Sequence, residues 1–265
     1  MPLALEQVRR MRGGAQSHLM RCADGGYYVV KFQNNPQGSR ILANELLGTR
    51  LAARIGLRVP GTAIVEVRAE MIAHTDDLVI QLGRGRTPCK AGQQFGSRFP
   101  GSPAETAVYD FLPEEQLRKV SNLADFRGML AFDKWTCNTN GRQAIFFRGN
   151  GEDDYQAQMI DHGFCFNANE WNFPDGPLRG LYPRHCVYEA VRGIDSFEPW
   201  ITRIETIVDS TVIEEVASGI PPEWYDCDQD ALWRMLEQLL RRRKLVRELI
   251  VSAWKSSMQP FPNWK

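Results

Sequence analysis

Nothing in this sequence approaches the run of about 20 apolar residues that a membrane-spanning helix needs. Its first ten residues are charged and hold no long apolar core, so no signal peptide is expected. The six cysteines, Cys22, Cys89, Cys137, Cys165, Cys186 and Cys227, include no CxxC pair. That argues against a zinc site and against a small disulfide framework, and it fits free thiols in a reducing cytoplasm. Neither sign of charge dominates, because Lys plus Arg and Asp plus Glu both total 32, so no global field points to nucleic acid. The histidines His18, His74, His162 and His185 are not spaced as paired metal ligands. Also missing are GxxxxGK[ST], HExxH, GxSxG and a GxGxxG joining a strand to a helix, which removes the common phosphate-loop, zincin, hydrolase and Rossmann sites. There is no internal repeat and no low-complexity segment.

What remains is an ordinary globular composition, 43% hydrophobic and 24% charged over 265 residues. A chain of that length buries a sizeable core as one large domain or two small ones. The character runs from strand-rich to helix-rich. Residues 8–12, 17–22 and 27–32 read as short strands, the last two joined by Asp24-Gly25-Gly26, a strong hairpin signal. Gly13-Gly14-Ala15-Gln16-Ser17-His18 has small side chains and free amides that could lie over phosphates, although any hairpin also needs glycine there. Lys31 stands inside the apolar run Tyr27-Tyr28-Val29-Val30-Lys31-Phe32, either as an edge-strand lysine facing water or as something more.

Ser39 can cap a helix over 40–55, whose apolar stripe includes Ile41, Leu42, Leu46 and Ile55 and which Gly56 and Pro60 stop. Glu45 shares the inward face, so it needs a partner or a cleft, and Lys31 is the nearest candidate. Residues 61–67 and 76–86 read as strands. The Gly/Pro/Ser-rich stretch 87–103, with Lys90 and Arg98, reads as a loop, either solvated or meeting an anion. Helices are expected over 114–119, 123–135, 197–208, 212–218 and 229–244, the last capped by Asp228, and then on to about Trp254. The run Arg241-Arg242-Arg243-Lys244 reads as a solvated face. Between these helices, 167–183 is an aromatic loop carrying Trp171, Phe173 and Tyr182.

The chain is organised around 131–163. There a polar loop, Asn138-Thr139-Asn140-Gly141-Arg142-Gln143, feeds a short strand, a polar turn and a second strand ending in Ile160-Asp161-His162-Gly163. Such a hairpin holds two polar loops side by side. Asp161 is then either a ligand for a hard cation shared with phosphates or an Asx turn closing the hairpin.

The order of these parts resembles the HipA-like kinase family and, more distantly, the phosphatidylinositol kinase-like branch of the kinase fold. Gly14-Ala15-Gln16 resembles the family's phosphate loop, Lys31 its nucleotide lysine, Asn44-Glu45-Leu46 through Pro60 its first helix, and Ile160-Asp161-His162-Gly163 its metal-binding aspartate motif. The likeness covers roughly residues 8 to 170 and extends to the helical remainder only in character. It implies an α+β, bilobal kinase-like fold with a small β-rich lobe over 1–112 and a larger helical lobe over 113–265. It also implies ATP and Mg²⁺ as cofactors, a hydroxyl phosphoacceptor, most readily a protein Ser or Thr, and a bacterial, cytoplasmic setting. Gly14, Ala15, Gln16, Lys31 and Glu45 would then serve the nucleotide, and Asp161 the metal.

The catalytic loop departs from the family pattern Asn-x-Asp-x-His-x-x-Asn. Asn140 stands where the Asp belongs, Arg142 at the His and Ile145 at the metal-binding Asn. An amide does not accept the acceptor's proton as a carboxylate does. The replacements available nearby are Asp133 as base and Gln143 or Asn138 as metal ligand, while His18 stands where the family has a lysine. Two readings follow: a kinase with a rearranged loop, or a nucleotide-binding or interaction module of the same fold that has lost transfer.

Overall fold

The structure is a computed structural model that describes residues 1–149 and 153–265. Its N-terminal part is built on a five-stranded antiparallel sheet in the order β1-β2-β3-β7-β4. These strands are β1 (Ala4–Arg10), β2 (His18–Cys22), β3 (Tyr27–Lys31), β4 (Thr62–Val67) and β7 (Gly92–Arg98). Leu3 bridges Glu66, and the Glu66 amide donates to the Pro2 carbonyl at 2.9 Å, so the start of the first strand reaches the last and the sheet curls. Helix α1 (Arg40–Arg54) connects β3 to β4. A short helix, α2 (Ala69–Ala73), and a separate hairpin of β5 (Val79–Leu82) and β6 (Gly85–Pro88) precede β7.

The C-terminal part carries a three-stranded sheet, β10-β9-β8, made of β8 (Val108–Tyr109), β9 (Gln143–Phe147) and β10 (Gln156–Ile160). The polar turn between the last two includes 150–152, outside the described residues. Around it lie α3 (Glu114–Leu117), α4 (Asp125–Thr136), α5 (Trp200–Thr206), α6 (Ser210–Ala217), α7 (Gln229–Arg242) and α8 (Val246–Trp254). The Asp228 side chain caps α7 by accepting from the Ala231 amide at 2.9 Å, as expected. Ser39 makes no side-chain cap to α1.

Two cores form. One lies under the N-terminal sheet, from Val30, Phe32, Val65 and Ile80. The larger joins the inward face of α1, Leu42, Leu46 and Leu51, to Phe126, Phe132 and Trp135 of α4 and Leu236 and Leu239 of α7. Helix α1 is thus a shared wall between the sheet and the helical part.

Two expectations are corrected. The stretch 87–103 is not a solvated loop: it completes β6 and holds β7, which pairs with both β3 and β4. Its glycine marks close approach, because a Cβ on Gly96 would lie 2.5 Å from Val65 Cγ2. Nor is 241–244 a uniformly solvated face. Arg242 is buried, stacks over Phe173, donates to the Lys134 and Trp135 carbonyls at 3.1 and 3.0 Å, and pairs with Asp175. A guanidinium with its donors so placed satisfies carbonyls at the end of α4 that the helix leaves open.

Candidate functional site

Lys31, Glu45 and Asp161 meet where β3, α1 and the end of β10 converge. Lys31 lies on a strand paired on both sides, not on an edge. Its Nζ donates to Glu45 and, at 2.7 Å, to Asp161 Oδ1. Both Glu45 oxygens also accept main-chain amides, from His162 and Gly163, at 3.0 Å each. Helix α1 therefore grips the segment after Asp161 as well as the lysine. Burial opposes the charge on Lys31, but the two carboxylates outweigh it and hold its pKa above the ordinary value. Burial likewise works against ionisation of Asp161, yet Lys31 wins and brings it down to about 2. Burial raises Glu45, as expected of two carboxylates sharing one ammonium.

Asp161 has a positive φ of 63°, a conformation Asp tolerates better than most residues. Its carboxylate is not an Asx turn: Oδ1 faces Lys31, and Oδ2 accepts from Gln143 Nε2 at 2.7 Å. The next two residues explain the glycines around them. A Cβ on Gly48 of α1 would lie 2.6 Å from His162 Cβ, and one on Gly163 would lie 2.7 Å from Ile41 Cγ2. Small residues on α1 and after Asp161 let the two backbones approach closely enough for these bonds.

These groups open onto a cavity of about 270 Å³ between the two sheets. Its lining includes Lys31, Asp161, Gln143 and Asn140 together with Gly13, Gly14 and Ala15. Apolar side chains of Val29, Ile145, Ile160, Phe99 and Pro100 also line it. The lining thus offers both donors suited to anionic oxygens and apolar side chains suited to a flat apolar group.

The expected residues divide sharply. Gly14, Ala15, Lys31, Glu45, Asp161, Asn140 and Gln143 all line this cavity. Asp133, Arg142 and Asn138 do not. Arg142 donates to both Asp133 oxygens and, at 2.6 Å, to the Ile160 carbonyl, with the pair fully inaccessible. Asn138 Nδ2 donates to Asp133 at 3.0 Å, while its carbonyl accepts the Asn140 amide at 3.1 Å. Asp133 is therefore corrected from candidate base to buried counter-ion: a carboxylate sealed from solvent and saturated with donors has no route to a substrate proton. Arg142 and Asn138 are corrected with it, as the braces that fix the loop around Asn140.

Gln16 does not reach the cavity either, since its side chain is held by the main chain of Gln81. His18, set against a family lysine, is buried on β2 with its ring edge-on to Phe32. Burial, helped by Arg10, lowers its pKa to about 4, so it is neutral and offers no cation to a phosphate.

Asn44 was not expected from the sequence. Its amide donates to the Gly163 and Ala168 carbonyls, both at 2.8 Å, and accepts from Trp171 Nε1 at 2.8 Å. The available signal was an Asn, a weak helix former, in the interior of α1 beside Glu45. Phe99 and Pro100, which line the cavity just after β7, were missed because 87–103 reads as a loop.

Among the described residues no three His, Cys, Asp or Glu side chains cluster as a self-sufficient metal site. The donor set at the cavity, one ionised Asp161 with the Gln143 amide beside it, fits a hard cation that keeps water and takes its other oxygens from phosphates.

The family model of HipA-like kinases matches residues 5–252. No curated protein sequence matches the chain. Solved structures do resemble it. The Golgi casein kinase with Mn/ADP bound aligns with a TM-score of 0.53 at 12% identity, covering 97% of this chain and 73% of that one. The Helicobacter pylori proinflammatory kinase CtkA aligns at 0.52 and 12%, covering 94% and 95%. Hydra Fam20 with sugar aligns at 0.53 and 12%, covering 97% and 86%. At such identities the likeness shows the fold, the α+β, bilobal kinase-like architecture expected from the sequence.

Proposed function

The chain belongs to the HipA-like kinase family, and from that premise we propose that it is an ATP- and Mg²⁺-dependent phosphotransferase acting on a hydroxyl group. The observation that carries the proposal is the Lys31–Glu45–Asp161 constellation on the wall of the cavity. Lys31 would hold the nucleotide's phosphates, and Glu45 would fix the lysine while tying α1 to the segment after Asp161. Asp161, with Gln143 beside it, would hold the cation, which when bound neutralises charge on the transferred group. Gly14 and Ala15 would cover the phosphates with main-chain amides. Val29, Ile145 and Ile160 would sandwich the base. With the lobes divided at 112 and 113, this cleft would lie between them.

Asn140 takes the place nearest the transferred group. It can orient an acceptor hydroxyl by hydrogen bonding but cannot remove its proton. Among the described residues, the acids lining the cavity are Glu45 and Asp161, both bonded to Lys31. Transfer in this site would rest on positioning and charge stabilisation, which together account for most of the catalysis of phosphoryl transfer. The acceptor most in keeping with the family is a protein Ser or Thr. Nothing in the charge balance favours nucleic acid, and no helix among the described residues is long and apolar enough to cross a membrane.

The same shortage of carboxylates supports a second reading, a module of this fold that binds nucleotide without transferring phosphate. ADP release from ATP, measured with Mg²⁺ and with a mixed-peptide acceptor pool, tests the first reading. Turnover abolished by Asp161→Ala supports the enzyme. Nucleotide binding without turnover in the parent protein supports the module.

A further inference from the structure

The glycine turn over the cavity has an external support. Strand β5 pairs with β6 along one edge. On its other edge the carboxamide of Gln16 stands in for a neighbouring strand. Gln16 Nε2 donates to the Gln81 carbonyl at 2.8 Å, and Gln16 Oε1 accepts the Gln81 amide at 2.8 Å. Arg10 donates to the same Oε1 from β1. Gln16 also closes the turn on itself, its amide donating to the Gly13 carbonyl at 3.1 Å, with a positive φ of 50°. The cavity-lining residues Gly13, Gly14 and Ala15 immediately precede it. One side chain therefore fixes the end of a turn whose glycines have no side chains of their own to fix it.

We propose that Gln16 is a positioning residue, and that the β5–β6 hairpin, which does not line the cavity, sets the phosphate-facing turn through it. The inference rests on the nucleotide reading above and deepens it. It makes the hairpin a handle on the site, since whatever displaces Gln81 releases the turn. The groups of Gln81 that bond Gln16 are its main-chain amide and carbonyl, while its side-chain amide donates to the Gly83 carbonyl at 3.0 Å inside the hairpin, so that side chain is not required for the contact with Gln16. Replacing it by proline removes the amide, and the registered partner Arg86 on β6 loses nothing, because that amide points to Gln16.

The test is titration calorimetry of Mg-ADP and of adenosine against the parent, Gln16→Ala, Gln81→Pro and Gln81→Ala. Both Gln16→Ala and Gln81→Pro are expected to weaken ADP by about tenfold, the scale of one or two lost hydrogen bonds, while adenosine stays within about twofold. Gln81→Ala is expected to leave both ligands unchanged. Weakening by Gln16→Ala without weakening by Gln81→Pro would mean that Gln16 touches the phosphates itself, and would overturn the proposal. So would ADP affinity indifferent to both. Should Gln81→Pro fail to fold, amide exchange decides. The Gln81 amide is expected to be protected in the parent and to exchange freely in Gln16→Ala, and equal exchange in both would refute the contact. A parent that binds neither ligand sinks the nucleotide reading instead, and the exchange result still stands apart from it.

Discussion

Two carboxylate–cation constellations draw on the stretch 131–163, one through Asp133 and Arg142 and the other through Asp161, and they have opposite fates. Asp133 and Arg142 form a pair whose side chains are 0% exposed, with the donors Arg142 aims at the carboxylate joined by Asn138. Lys31, Glu45 and Asp161 form a triad that keeps 12% exposure at the lysine and 19% at Asp161, on the wall of a cavity. The chemistry of the side chains is alike. What separates brace from candidate site is access: a saturated pair in a dry interior holds a loop, whereas a partly open triad with one carboxylate for each of two jobs can exchange a partner for a ligand. Charge pairing alone is thus a poor guide to function, and accessibility decides between the two outcomes.

Breaking the sealed pair is expected to have the largest effect. Asp133→Ala leaves the Arg142 guanidinium buried without its counter-ion, which costs about 3 to 5 kcal/mol, read by denaturant unfolding. Replacing both residues by methionine is expected to cost far less than either single change and to leave nucleotide binding intact. Equal loss from the single and double changes would refute the brace.

Breaking the open triad should cost the fold less than breaking the sealed pair, and it should remove the ligand. In the parent, Mg-ATP at one hundred times its dissociation constant stabilises by about 2.7 kcal/mol, and Lys31→Ala is expected to abolish that gain in a thermal-shift experiment. The grip of α1 on the segment after Asp161 is tested by Gly48→Ala. The added Cβ meets His162 Cβ, and overpacking of that kind is expected to lower stability by about 1 to 3 kcal/mol in urea unfolding.

The smallest effect separates the two constellations by pH. Asp161 is lowered from 3.8 to about 2, chiefly by Lys31 working against burial. Its contribution to stability is therefore present above about pH 4 and lost as the pH falls towards about 2. The parent is expected to lose melting temperature across that window more steeply than Asp161→Asn. Identical acid profiles would mean that Asp161 is not held by Lys31.

Much of the fold and site was legible in the sequence, and the illegible parts share a cause. Lys31, Glu45 and Asp161 stood out because each is a charge in an otherwise apolar setting, a strand, an inward helix face and a strand end, and such charges need partners. Strand β7 was hidden because Gly92, Gly96 and Pro100 read as loop chemistry, while the need for Gly96 comes from Val65 across the sheet. Asp133 and Arg142 were assigned to catalysis because spacing along a loop says which residues are near, not which of them face inward. Arg242 looked solvated for the same reason. Its place at the end of α4 depends on a contact more than a hundred residues away in the chain.

Asp161 as the ligand of a cation, serving a nucleotide whose phosphates Lys31 receives, is tested most directly by calorimetric binding of ATP. The titration is run with and without Mg²⁺, on the parent and on Asp161→Asn. Tighter binding with the metal in the parent, and no gain from the metal in Asp161→Asn, is the predicted result. A full metal-dependent gain in Asp161→Asn, or no nucleotide binding by the parent at all, would contradict it.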